Sequence, residues 1–127
     1  MAGSMICLDT NYLICGVAEN TAEASELVTW LEAGEILVTA TPAWFEFLCG
    51  PITDDQAATM RAFLTEIIPF AEVQANEAAR LFNLTRRKRA LRVDAMIAGS
   101  AIAAQAGLAT KNRGHFEPFL AHGLKLI

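Results

Sequence analysis

The sequence is short of the features that mark several common protein classes. Its cysteines number three, Cys7, Cys15 and Cys49. The count is odd and no Cys-x-x-Cys spacing occurs, so neither a disulfide framework nor a thiolate zinc site is indicated. All three read as small buried hydrophobes. A basic surplus is also missing. The net charge of −4 argues against a nucleic-acid coat protein but leaves room for an enzyme that meets nucleic acid through a local patch. No stretch reaches the roughly 18 apolar residues that a spanning helix needs, although the mean hydropathy is +0.33. The longest apolar run, residues 95–104, is interrupted by Gly99 and Ser100, follows Asp94, and reads as a buried helix rather than a membrane span. A basic start followed by a long apolar middle is absent, so no signal peptide is expected and the cytoplasm is the expected location. Charged residues are only 19%, too apolar a balance for disorder. There is no internal repeat, low-complexity tract or linker.

What is present suits one compact domain. The chain has 127 residues, 54% of them hydrophobic, enough to cover a sheet on both sides. Residues 1–4, ahead of the second methionine Met5, read as a cloning remnant, leaving 5–127 as the domain. Residues 5–8 form a short apolar run ending at Asp9, the length of a buried strand, followed by a short helix over 12–15. Ala24, Leu27, Val28 and Leu31 mark an amphipathic helix closed by Gly34. Residues 36–38 are the next strand. Thr41-Pro42 reads as an N-cap and first helical residue of a helix carrying Trp44, Phe45, Glu46, Phe47 and Leu48, stopped by Gly50-Pro51. Thr53 and Gln56 have capping-box spacing, ahead of a stripe of Ala57, Met60, Leu64 and Ile67. Pro69 limits any strand in 67–73 to a short or edge one. Helices are expected over 77–89 and 93–105, the latter ended by Gly107, with short strands at 108–110 and 124–127. Trp30 and Trp44 read as core or interface residues. Short apolar strands alternating with helices imply crossover connections and a mainly parallel sheet in a three-layer α/β/α sandwich.

In such folds ligands sit beyond the carboxyl ends of the strands, which directs attention to acids there. Asp9 directly follows the first strand, where it also suits a helix N-cap. Glu46 lies among large apolar residues, either facing solvent or held at the rim of the core, where a partly buried charge must be paired or bound to metal. Asp94 opens the most apolar helix, where an acid also complements the helix dipole. Carboxylates that converge from distant positions repel unless a cation joins them. Mg²⁺ or Mn²⁺ suits oxygen ligands, and such a centre activates water towards a phosphodiester. The basic residues cluster too: Arg86, Arg87, Lys88, Arg89 and Arg92 fall within seven positions. They read either as a solvated helix end, where cations favour the dipole, or as a phosphate-binding patch.

Taken in order, these segments resemble the PIN-domain ribonucleases, at the length of the VapC-type toxins. Ile6-Cys7-Leu8-Asp9-Thr10-Asn11 is similar to the family's opening motif and Val93-Asp94-Ala95-Met96-Ile97-Ala98 to its third-acid helix. Residues 108–116, a Thr followed by a polar turn and Phe116, resemble the last-strand motif. Glu46 stands where the second acid is expected, and residues 123–127 resemble the closing strand. The resemblance implies a metal-dependent endoribonuclease in which Asp9, Glu46 and Asp94 bind one or two Mg²⁺ or Mn²⁺ ions. Asn11 would orient neighbouring groups and Thr10 would shape the turn. RNA would be cut by water to leave a 5′-phosphate and a 3′-hydroxyl. It also implies a VapB-type antitoxin whose tail lies in a groove beside the acids, and a homodimer.

Many members carry a fourth acid in the last motif. Its two candidate positions here hold Asn112, able to offer a carbonyl oxygen or orient a water, and His115, which reads as a surface turn residue or as a contact to the scissile or leaving phosphate. His122 reads as a loop residue. The missing acid keeps a second reading open, a catalytically weak or inactive PIN-like module that binds RNA or protein. A third, an aspartyl phosphotransfer domain like the haloacid dehalogenases with Asp9 as nucleophile, wants a second Asp two residues on, and position 11 is Asn.

Overall fold

The structure, a computed structural model, describes residues 4–127, so the proposed remnant lies, but for Ser4, outside the described residues. Four parallel strands form the sheet: β1 (Met5–Leu8), β2 (Ile36–Ala40), β3 (Glu66–Ile68) and β4 (Gly107–Ala109), in the order β3-β2-β1-β4. Successive strand residues face opposite sides of a sheet, and in β1 Ile6, Cys7 and Leu8 are all buried. Both faces are therefore covered, as an all-parallel sheet requires. The chain is an α/β sandwich of this sheet between helices, as the alternation of short strands and helices implies. Among the described residues no helix is long and apolar enough to cross a membrane.

Among the described residues six α-helices fill the crossovers, α1 (Thr10–Gly16), α2 (Ala22–Glu32), α3 (Thr41–Leu48), α4 (Asp54–Phe63), α5 (Glu72–Leu84) and α6 (Arg92–Ala103), and α7 (Arg113–Phe116) follows β4. Helices α1 and α2 pack on each other, as do α5 and α6, and α6 also lies against β2 and β4. The α5–α6 approach is close because Gly99 presents no side chain: a Cβ there would lie 2.6 Å from the backbone nitrogen of Ala78. Helix α6 is the buried helix expected from its sequence, with Ala95 and all residues from Ile97 to Ala101 buried. Trp30 and Trp44 are partly buried and pack against the core.

Local expectations differ from the structure where tertiary contacts take over a side chain. Thr41 does not cap α3. Ala40 holds that position, and the Thr41 hydroxyl donates to the Ile68 carbonyl on β3. The Thr53–Gln56 capping box is present at α4, but Leu64 and Ile67 leave the helical stripe, Leu64 as an extended cap and Ile67 within β3. That strand is short and at the sheet edge, consistent with Pro69 after it. Helix α5 begins at Glu72 and ends at Leu84, five residues earlier at each end than the expected 77–89. The Gln74 side chain accepts from the Ala71 N–H at its start. The basic run is therefore not a helix end. It forms a turn with Arg86 and Arg87 at φ 67° and 55°, then a 3-10 turn, Arg89–Leu91. Gly107 opens β4, and Gln105, at φ 59°, turns the chain after α6. The closing strand at 124–127 is reduced to a single bridge between Leu108 and Leu126. Cys7 is buried but Cys49 is exposed, so its reading as a buried hydrophobe is corrected.

Candidate active site

The strand order reverses at β1. Its successor in sequence, β2, lies on one side and β4 on the other, and the crevice at such a reversal is where open α/β sheets bind ligands. The two chains leaving that crevice carry Asp9 and Thr110. Asp9 continues the ladder, its N–H donating to the Ala109 carbonyl at 3.0 Å. Its carboxylate is held from two sides: the Thr10 N–H donates to Oδ1 at 2.7 Å and the Thr110 hydroxyl donates to Oδ2 at 2.7 Å. Thr110 is itself oriented, since its Oγ1 accepts from the Asn112 N–H at 2.9 Å. Asp9 is also the N-cap of α1, so the capping role and the site role coexist in one side chain.

Glu46 reaches the same place from α3. It is exposed, not buried in the core, and its Oε1 accepts from the Thr10 hydroxyl at 2.7 Å. Asp94, in the first turn of α6, is partly buried, with the exposed His115 ring of α7 at 3.8 Å from its Oδ2. Burial, only 4% of Asp9 being exposed, pushes the Asp9 carboxyl above the usual carboxylate range. The bonds from Thr110 and Thr10 oppose that rise, and the nearby Glu46 charge adds to it. Asp94 is raised as well, first by burial and then by the charges of Asp9 and Glu46, against the lowering pull of His115. The Glu46 charge thus acts on both Asp9 and Asp94, and the Asp9 charge on Asp94. Burial with the Asp9 charge also pushes the Cys7 thiol up to about 12, which keeps it inert.

Asn112 and His115 take different places. Asn112 caps α7, works through its backbone N–H on Thr110, and makes no side-chain capping bond. His115 stands at the rim beside Asp94. The Asn11 side chain is exposed, and the orienting bonds to the acids come from Thr10 and Thr110 instead. Thr110 was identifiable only as part of a motif. A hydroxyl residue directly after a strand that pairs with the Asp-bearing strand is the signal that pointed to it.

The donor set is all carboxylate oxygen, the chemistry of a hard divalent cation. Asp9 keeps lone pairs free on both oxygens, since each accepts one bond here. Among the described residues, no three His, Cys, Asp or Glu side chains close into a direct ligand cluster.

The PIN domain family model matches residues 6–118. Solved structures share the fold over nearly the whole chain. One is VapBC-1 from nontypeable Haemophilus influenzae (18% identity, covering 97% of this chain and 96% of that one, TM-score 0.71). Another is VapBC2 from Rickettsia felis bound to a DNA fragment from its promoter (16%, 97% and 97%, 0.70). A third is a toxin–antitoxin complex from Klebsiella pneumoniae (23%, 88% and 90%, 0.69). No curated protein matches the sequence. With the family match spanning most of the sequence, the chain belongs to the PIN domain family.

Proposed function

We propose that this protein is a divalent-metal-dependent endoribonuclease, the toxin of a VapBC-type pair, that hydrolyses RNA phosphodiester bonds. The observation that carries this reading is the buried Asp9, gripped by Thr10 and Thr110 at the strand reversal and raised in pKa first by burial and further by the charge of Glu46. Perturbed acids gathered at a crevice are the ordinary mark of a working site. Asp9, Glu46 and Asp94 would hold Mg²⁺ or Mn²⁺, which when bound supplies a water acidic enough to attack phosphorus and offsets charge on the phosphodiester oxygens. The chain's own residues do the positioning. The Thr110 hydroxyl and Thr10 N–H fix the plane of the Asp9 carboxylate, and Thr10 ties Glu46 to the same turn. His115, when protonated, offers a donor at the exposed edge beside Asp94.

The partner proposed is a VapB-type antitoxin, and the assembly a homodimer of toxin chains. An apolar groove of 450 Å³ runs beside Glu46, lined by Phe45, Phe70, Val93 and Met96. Phe45 is 65% exposed, an unusual cost for a large aromatic unless a partner covers it. A segment with an apolar face for the groove and a cation for the acids suits it.

The test is cleavage of labelled single-stranded RNA. Activity with Mg²⁺ or Mn²⁺ that vanishes with EDTA and returns with excess metal, leaving 5′-phosphate ends, is the expected result. No cutting at any metal concentration would favour the alternative, a binding module, which the Asn112 and His115 replacements of the fourth acid support. A second expectation concerns Thr110→Val, which removes the donor to Asp9 Oδ2. It should reduce metal affinity or activity by about 10–100-fold, read as a rise in the metal concentration giving half-maximal cleavage.

A further inference from the structure

Half of the chain's ten basic residues, Arg86, Arg87, Lys88, Arg89 and Arg92, lie between the end of α5 and the first residue of α6. The ion pairs among the described residues are Arg80–Glu77, Lys111–Glu23 and His115–Asp94. Arg86, Lys88, Arg89 and Arg92 join none of them. Arg87 is spent locally, donating to Asn83 Oδ1 and lying over the Phe82 ring. A chain of net charge −4 thus carries an unneutralised positive stretch, and such a field gathers anions.

The stretch is also shaped. Arg86 and Lys88 line a pocket of 290 Å³ whose opposite wall carries His122, from the 3-10 turn Glu117–His122. Arg80 Nη2 donates to the His122 carbonyl at 2.7 Å, holding that wall against α5. The Thr85 hydroxyl at the floor is engaged by the carbonyls of Leu81 and Phe82, so the pocket offers guanidinium, ammonium and imidazole groups as donors. The turn itself asks for glycine. Arg86 sits at φ 67°, where side-chain residues other than Asn and Asp are rare and glycine is the default. Arg86 therefore holds this turn at a conformational cost.

The pocket adjoins the acids through both of its walls. One wall runs from Leu91 directly into α6 and Asp94; the other runs back from His122 to α7 and His115. Leu91 lies three residues before Asp94, and Pro118, also on the pocket, three residues after His115, whose ring is 3.8 Å from Asp94 Oδ2.

We infer that the Arg86–Lys88–His122 pocket holds a backbone phosphate of single-stranded RNA on the strand leading to the bond cut at the acid centre. The inference rests on the nuclease reading above and supplies its substrate-positioning subsite. The pocket reads backbone rather than base, so it contributes affinity and register without sequence preference.

The experiment compares wild type with Arg86→Gly/Lys88→Ala. Glycine suits the φ at position 86, so the melting temperature should hold and folding is not at issue. Binding of a fluorescent 12-nucleotide single-stranded RNA is measured by anisotropy in EDTA, across salt concentrations, with cleavage in Mn²⁺ followed in parallel. The variant is expected to bind about tenfold more weakly at low salt, with a slope of log affinity against log salt shallower by about 0.7, the loss of one phosphate contact. Cutting by wild type combined with unchanged RNA affinity and slope in the variant overturns the pocket and leaves the nuclease reading standing. Weakened binding in a protein that never cuts upholds the pocket and sinks the nuclease reading. A polyglutamate peptide that loses affinity in the variant while RNA does not would assign the pocket to an acidic protein partner and overturn the inference.

Discussion

Asp9→Asn is expected to destroy cleavage and at the same time make the metal-free protein more stable. Activity should fall at least about a hundredfold, since even residues that only orient metal ligands cost up to that much. Stability moves the other way because the Asp9 carboxyl, like that of Asp94, has its pKa raised in the folded protein, chiefly by burial. From the unfolded value of 3.8 up to the raised folded value, the native state keeps a proton that the unfolded chain releases. Stability therefore falls as pH rises through that window, and above it the full penalty persists. At neutral pH both acids oppose folding. Asparagine removes one buried charge and keeps the geometry: its Oδ1 can still accept from the Thr10 N–H, and its amide can donate to Thr110 Oγ1. A rise of a few degrees, about 1 kcal/mol for a domain of this size, should appear in thermal melts at pH 7 with EDTA. Saturating Mn²⁺ should raise the wild-type melting temperature, by about 2.7 kcal/mol of stability at a hundred times its dissociation constant, and leave the variant little changed. Equal metal shifts in both proteins would remove Asp9 from the metal centre.

Gly99→Ala is expected to be among the most destabilising single changes in the chain. In an exposed helix the substitution would gain up to about 1 kcal/mol from propensity. Here the added carbon would lie 2.6 Å from Ala78 N, 2.9 Å from Ala78 Cα and 3.1 Å from the Glu77 carbonyl carbon. All three are backbone atoms, so no rotamer change relieves them and α5 must move bodily off α6. Overpacking of this kind costs about 1–3 kcal/mol, occasionally more, and rigid backbone on both sides places the net loss near the upper end despite the propensity gain. Against a total stability of about 5–15 kcal/mol, that is a melting temperature lower by roughly 10 °C. Because α6 carries Asp94, cleavage should fall along with stability. A melting temperature at or above wild type would mean that the two helices are not in backbone contact at this point.

Element order and type were legible because they rest on local chemistry. The apolar run before Asp9, the Thr53–Gln56 box and the small-residue helix after Asp94 each specify their structure within a few residues. Boundaries were less legible. The periodicity of α5 continues into Leu84, but the turn at Arg86 and Arg87 ends the helix there, and the Gln74 bond starts it earlier than its stripe suggests. Thr41 had the residue type of a cap, yet β3 offered its hydroxyl the Ile68 carbonyl, a partner 27 residues away that periodicity cannot reveal.

The sequence by itself determined the layered α/β class and singled out three acids as a candidate centre, because strand length, helical spacing and residue type are properties of neighbours in the chain. Only the tertiary structure decided what surrounds those acids: Thr110 on Asp9, Thr10 on Glu46, His115 beside Asp94, and the basic turn folded against His122. The physical reason is that a carboxylate's pKa and reach depend on burial and on donors brought in from across the sheet. Those are set by strand order, which places β4 beside β1 although nearly the whole chain separates them.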